Sequence, residues 1–289
     1  MTGGQGLNDD AIPGLADDDT PFWHRALRHT AILLGLLGLW EYVTAAGIAD
    51  PLLFPRPSAI VTSFVPLYIT RAFVWEHLWV TMATVLAGFA VGTVLGIGLA
   101  VIAGLSETIR RYLKPYIIVL EATPRIAIGP LMLAWLGFGF GAKLAIVTLV
   151  CFFAPFINTL TAILSANPAQ VELMRSLGAS KWQTLTKAIV PDAMPMIMAG
   201  VRLAMASALG GALVAEFISS NKGMGVLLDN LAAALDMPAA FATLLSLTVI
   251  GFVLYALMEA IERRVIFWQN DAAMRRVSAR RRRAWGARA

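Results

Sequence analysis

Residues 78–104 read LWVTMATVLAGFAVGTVLGIGLAVIAG and contain no ionisable side chain. So long an apolar stretch has few structural solutions. About twenty such residues in a helix cross the hydrocarbon core of a bilayer, and in lipid the backbone must be satisfied within a helix or a closed barrel. The run is continuous rather than alternating, which selects the helix. The same pattern recurs along the chain, and six spans are expected, at 30–48, 78–104, 115–137, 142–164, 188–219 and 239–261. Composition agrees: 58% of residues are hydrophobic and 14% charged, whereas soluble domains carry about a quarter charged residues. The expected fold is all-α, a polytopic transmembrane bundle of about six spans.

Several chemistries lack their residues. Cys151 is the lone cysteine, so there is neither a disulfide framework nor a thiolate cluster. His24, His29 and His77 are scattered near span ends, and no metal or other cofactor is expected. The sequence has no glycine-rich phosphate loop ending in Gly-Lys-Ser or Gly-Lys-Thr, no nucleophile elbow and no zincin motif. No catalytic set remains, and the chain is read as a non-enzyme.

Lysine and arginine set the orientation, because cytoplasmic segments carry the excess. With the N-terminus inside, that side holds Arg25, Arg28, Arg110, Arg111, Lys114, Arg175, Lys181, Lys187 and the arginine-rich tail, against Arg56, Arg71, Lys143 and Lys222 outside. Both termini are therefore expected in the cytoplasm. Residues 1–29 read as a disordered tail without a signal peptide, 30–262 as the membrane domain and 263–289 as a basic tail. That tail, RRVSARRRRAWGARA at its end, invites a nucleic-acid reading. Its place directly after a span favours anionic lipid or simple solvation, and nucleic acid is set aside.

In the second span Gly88, Gly92 and Gly96 recur every four residues, a small-residue face that lets helices approach closely, either as static packing or as a sliding surface. Ionisable or strongly polar residues inside spans are costly and are candidates for a solute path: Glu121, Arg125, Asn158, Arg202 and Glu216. Arg125, beside Pro124, is positioned to guide an anion or to pair with Glu121. For Arg202 and Glu216 structural pairing is the favoured reading.

One polar segment interrupts the apolar chain: ELMRSLGASKWQTLTKAIVP, from Glu172 to Pro191. Asn167-Pro168 reads as a helix start, Glu172 and Arg175 are spaced to pair, and Gly178 reads as a left-handed terminator. Ser180 with Gln183 reads as a capping box opening a second helix that runs to Pro191. Leu173, Met174, Leu177, Trp182 and Leu185 give this helix–elbow–helix an apolar face that calls for a partner.

The spacing from Glu172 to Gly178 and on to Pro191, with Ile189 two before the proline, resembles the EAA loop of permease subunits of bacterial ATP-binding-cassette importers. Leu173 and Met174 stand where that family usually has two alanines. The resemblance runs from about Trp40 to Trp268, through LWEYV, LFPRPSAIVTSF, GPLMLAWLGFGFGAKLAIV and VAEFISSNKGMGVLL, and is closest to the branch importing nitrate, sulfonates and taurine. It implies a type I importer permease in the bacterial inner membrane. Segment 165–190 would be a coupling loop in which Glu172, Leu173, Met174, Arg175, Leu177, Gly178, Ala179, Ser180, Trp182 and Pro191 engage a separate ATPase subunit. The implied partners are that ATPase, an external solute-binding protein and a second copy of the permease. The outward segments 50–77 and 219–225 would meet the binding protein. A permease for a pyrimidine precursor or another small organic solute is the alternative within the family. A secondary transporter that works without an ATPase is the alternative outside it.

Overall fold

The computed structural model describes residues 22–50, 52–70, 74–122, 125–219 and 221–269, and every regular element among them is helical. The chain forms two compact units, Met1–Ala59 and Ile60–Ala289.

In the first unit, helix α1 (Phe22–Ala45) covers most of the first expected span, ending three residues short of it, and starts earlier, inside the stretch read as a tail. Helix α2 (Pro57–Val65) begins in this unit at the last proline of FPRP, where proline is favoured as the first helical residue, and continues past Ala59 into the second. Its first turn is held by Glu41, whose carboxylate accepts from Ser58 N at 3.1 Å and from Ser58 Oγ at 2.8 Å. A carboxylate at a helix N-terminus satisfies an orphan N–H and the helix dipole together.

In the second unit, α3 (Val74–Leu105) is followed by α4 (Glu107–Ala122), a 3-10 turn (Arg125–Ile128) and α5 (Gly129–Leu136). Helix α6 (Phe140–Leu164) leads into α7 (Pro168–Ser176) and α8 (Lys181–Thr184). A π turn (Leu185–Ile189) joins α8 to α9 (Val190–Ser219), and α10 (Met224–Ala233) and α11 (Met237–Val265) complete the unit. Among the described residues, four helical stretches are long and apolar enough to cross a membrane: Val74–Leu105, Phe140–Leu164, Lys181–Ile218 and Met237–Val265. The third expected span, 115–137, is not one helix. Pro115 lies inside α4, which ends at Ala122, and after the 3-10 turn a separate helix starts at Gly129-Pro130. Two short helices thus replace a continuous rod.

Pro191 likewise departs from expectation, because the second helix of the elbow does not stop there. Proline lacks an N–H and its ring crowds the carbonyl four residues back. The π turn directly ahead widens the backbone ladder and lets the helix continue. The result is one continuous helical stretch from Lys181 to Ile218.

The core lies where α3, α6 and α9 meet: Val85, Val147, Cys151, Ala204, Ala208 and Ala212 are all fully buried. The glycine face of α3 makes this packing close. A Cβ on Gly88 would stand 2.5 Å from Val147 Cβ, on Gly92 2.6 Å from the Thr148 carbonyl oxygen, and on Gly96 2.5 Å from the Phe152 carbonyl oxygen. Successive glycines thus face α6 along several turns. Gly98, on the other side of the same helix, faces open space.

Candidate functional site

Helices α7 and α8 form an elbow at one end of this unit, built from local signals. Asn167 Oδ1 accepts from Ala169 N at 3.0 Å, with Pro168 opening the helix. At the other end of α7, Gly178 N donates to Arg175 O and Ala179 N to Met174 O, both at 2.9 Å. This is a Schellman closure, and it needs the left-handed conformation that Gly178 adopts at φ +76°. Ser180 then starts α8 with a complete capping box: its Oγ accepts from Gln183 N at 3.2 Å, and Gln183 Oε1 accepts from Ser180 N at 2.8 Å. Because α8 is one short turn, Ser180→Ala is expected to speed hydrogen exchange at Gln183 about fivefold, corresponding to a cap worth ~1 kcal/mol. Exchange mass spectrometry of the intact protein measures it, and an unchanged rate would show that packing rather than the cap holds the elbow.

The elbow presents Leu173, Leu177 and Trp182 outward, exposed by 59%, 73% and 59%. Met174 is half-buried, and Leu185 turns into the protein's own interior at 2% exposure, so the apolar face is narrower than the sequence implies. Glu172 and Arg175 do not pair among the described residues; both are exposed, where an ion pair gains little. Ala179 is half-buried, Ser180 is exposed, and Pro191 lies past the π turn.

Among the described side chains, the in-span polar residues Asn158, Arg202 and Glu216 each bind different partners. Asn158 donates to Ala154 O of its own helix at 2.8 Å. Arg202 Nη1 lies 3.1 Å from Glu262 Oε2 of α11, with its guanidinium 5.8 Å from the Tyr255 ring centre. Glu121 ends α4 and Arg125 opens the 3-10 turn, but their side chains lie outside the described residues.

Glu216 belongs to a cluster that the sequence reading missed. It is fully buried near the far end of α9, about 39 Å from Val190 at the helical rise of ~1.5 Å per residue. Its Oε1 accepts from Thr81 Oγ1 at 2.7 Å and its Oε2 from Gly225 N at 2.8 Å. Thr81 Oγ1 in turn accepts from Met224 N at 2.8 Å. One turn earlier on α3, His77 Nδ1 accepts from Gly223 N at 3.0 Å, and Lys222 pairs with Glu76. Lys143, 5% exposed, places its ammonium 3.4 Å from the Lys222 carbonyl. The segment 222–225 is therefore tied to α3, α6 and α9 rather than hanging free. The available signals were His77 and Thr81 one turn apart and Gly223 and Gly225 two apart; pairing them with Glu216 requires the fold.

The capped elbow and broken third span are joined by homology to a known architecture. Residues 92–267 match the model of the family described as binding-protein-dependent transport system inner membrane component. The formylaminopyrimidine transport permease protein ThiX of Halalkalibacterium halodurans is 30% identical over 86% of this chain and 98% of its own. The putative aliphatic sulfonates transport permease protein SsuC of Bacillus subtilis is 28% identical over 86% of this chain and 89% of its own. Among solved structures, the inward-facing MetNI methionine ABC transporter superposes with a TM-score of 0.58 at 17% identity, covering 67% of this chain and 98% of that one, which speaks for the fold alone. The chain thus belongs to the binding-protein-dependent transport system inner membrane components, as a non-catalytic, multi-pass permease of the ABC importer type.

Proposed function

We propose that this permease lines the path of an importer driven by a separate cytoplasmic ATPase, which grips the elbow at Gly178, while an external binding protein delivers the solute to the opposite end. The observation that carries this reading is the elbow itself. Two capped helices expose Leu173, Leu177 and Trp182, and the second is continuous with the span reaching Ile218. Apolar side chains on a rigid, solvent-facing lever favour a protein partner, and a rod of this length carries a displacement at one end to the other. In this arrangement both termini and the elbow are cytoplasmic, two copies of the chain enclose the path, and the coupling residues are those from Glu172 to Trp182 with Pro191. A self-sufficient secondary carrier has no use for such a lever.

The solute is a small organic anion of the sulfonate class, supported by the likeness to the aliphatic sulfonate permease. A formylaminopyrimidine-like solute is the second reading, supported by the match across nearly all of ThiX. Arg202, already paired with Glu262, is not a free anion guide. Purification of the tagged chain with its partners in mild detergent, followed by mass spectrometry, tests both levels. The expected result is an ATPase and a binding protein whose bound ligand is a sulfonate; a pyrimidine ligand selects the second reading. Reproducible isolation of the chain alone, active in liposomes, would overturn the importer assignment.

Gly178→Val isolates the lever. A Cβ there meets nothing within 4 Å, so the defect is one of backbone conformation. A side chain in the left-handed region costs ~1–2 kcal/mol, and a β-branched one more. Loss of ATP-driven uptake, with the membrane bundle still folded by exchange protection, is the expected outcome. Unaltered uptake and unaltered ATPase retention would remove the elbow from the mechanism.

A further inference from the structure

Behind the elbow, where α7 and α8 approach the junction of α3 and α4, lies a cavity of about 270 Å³. Its walls come from three separated parts of the chain: Gly104 to Arg110, Ile163, and Val171 to Ile189. Arg110, Arg175 and Lys181 line it, and none of the three has an acidic partner among the described residues. Glu107 is the one acidic residue on the wall, and its carboxylate is engaged by Arg111, 3.3 Å away. Three cations therefore line one concavity, with Glu107 as the acidic residue on the same wall. The floor is formed by buried Leu185 and Thr184, with Ile163 beside them, so the cavity has a partly apolar base with Arg175 and Lys181 exposed at its rim and Arg110 half-buried. At about 30 Å³ per water the cavity holds an oxyanion together with part of its hydration shell. Two guanidinium forks and an ammonium suit a tetrahedral oxyanion, because the forks donate in pairs to adjacent oxygens.

We propose that this cavity is a phosphate-type oxyanion site wedged between the elbow and the α3–α4 junction, filled by the headgroup of an anionic lipid or by free inorganic phosphate. The resemblance to importer permeases places Arg175 and Ala179 at the ATPase contact, but it gives this cavity no ligand. Because its walls include Arg175 and Lys181 on the elbow and Arg110 on the bundle, an occupant cross-links lever and bundle electrostatically. Occupancy then fixes the angle at which the elbow is presented. That last consequence rests on the coupling reading above; the site itself does not.

The test therefore measures binding before turnover. The full chain is placed in nanodiscs of phosphatidylcholine alone or with added phosphatidylglycerol, and retained lipid is counted by native mass spectrometry. In phosphatidylcholine discs, inorganic phosphate is titrated while tryptophan fluorescence is followed, Trp182 being the neighbour of Lys181. Retention of phosphatidylglycerol identifies a lipid source, and saturable quenching by phosphate a free one; either supports the site. Each neutralisation, Arg110→Gln or Arg175→Gln, is expected to weaken binding about tenfold, the loss of one charge-assisted contact. Arg110→Lys should recover part of it, and Arg264→Gln, an exposed cation elsewhere, should change nothing. Hydrogen-exchange protection of α3 and α6 verifies that the variants are folded. Absence of both signals in the native chain, or binding that the glutamine variants leave undiminished, overturns the proposal. If binding follows these variants while ATP turnover in the complete complex ignores them, the site stands and the coupling reading fails.

Discussion

Replacing Gly92 with leucine is expected to abolish accumulation of folded protein, whereas the same change at Gly98 leaves it intact. The two residues share a helix and a sequence environment, and intrinsic helix propensity treats them alike. Tertiary contact separates them. A Cβ at Gly92 would lie 2.6 Å from the Thr148 carbonyl oxygen and 2.9 Å from Cys151 Cβ, whereas at Gly98 it meets nothing within 4 Å. The first of those obstacles is backbone, which cannot rotate away, so α3 and α6 must separate. Gly92→Ala already forces overpacking, at a cost of ~1–3 kcal/mol, and Gly92→Leu exceeds what a membrane bundle of marginal stability tolerates. Thermal unfolding in detergent, read by loss of the monodisperse elution peak, measures the series. Equal behaviour of the Gly92 and Gly98 variants would refute this α3–α6 packing.

The second large effect lies at the opposite end from the elbow. Glu216→Ala leaves Gly225 N buried without an acceptor and removes the group to which Thr81 Oγ1 donates. Each unsatisfied buried group costs ~1–3 kcal/mol, and the loss is expected to free residues 222–225 and stop transport. Glu216→Gln should be tolerated far better. Its amide oxygen still accepts from Gly225 N, its amide nitrogen can donate to Thr81 Oγ1, and the threonine hydroxyl can turn to the His77 carbonyl, 3.2 Å away. Gly223→Ala should resemble Glu216→Ala, because its Cβ would fall 2.2 Å from Glu216 Cδ at a backbone φ of +142°. In the Glu216→Ala background the same change should cost less, since the clashing carboxylate is gone and only the backbone penalty remains. This non-additivity in unfolding midpoint and uptake is the diagnostic result. Additive losses would mean that residues 216 and 223 do not touch.

The membrane class, the all-helical fold and the elbow were legible in the sequence because each depends on short-range physics. Apolar run length is read against bilayer thickness. Asn167, Gly178, Ser180 and Gln183 act on backbone groups no more than a few residues away, and the caps formed where their spacing places them. Prolines were legible only in part. Pro57 starts a helix, but Pro191 does not end one as its position in the elbow led us to expect, because a π turn a few residues earlier absorbs it.

Long-range pairings were decided by the tertiary structure alone. The sequence marks Gly88, Gly92 and Gly96 as a close-packing face, but only the fold supplies α6 as the surface they meet. Glu216 is joined to Thr81 across 135 residues, Arg202 finds Glu262 on another helix, and Arg110, Arg175 and Lys181 meet around one cavity. Periodicity tells which residues share a helix face, but a buried charge takes its partner from whichever helix packs beside it. The sequence by itself determined the helices and their caps, since those interactions are satisfied within a turn. The tertiary structure decided which helices touch and at what register, and with that the partner of each charge.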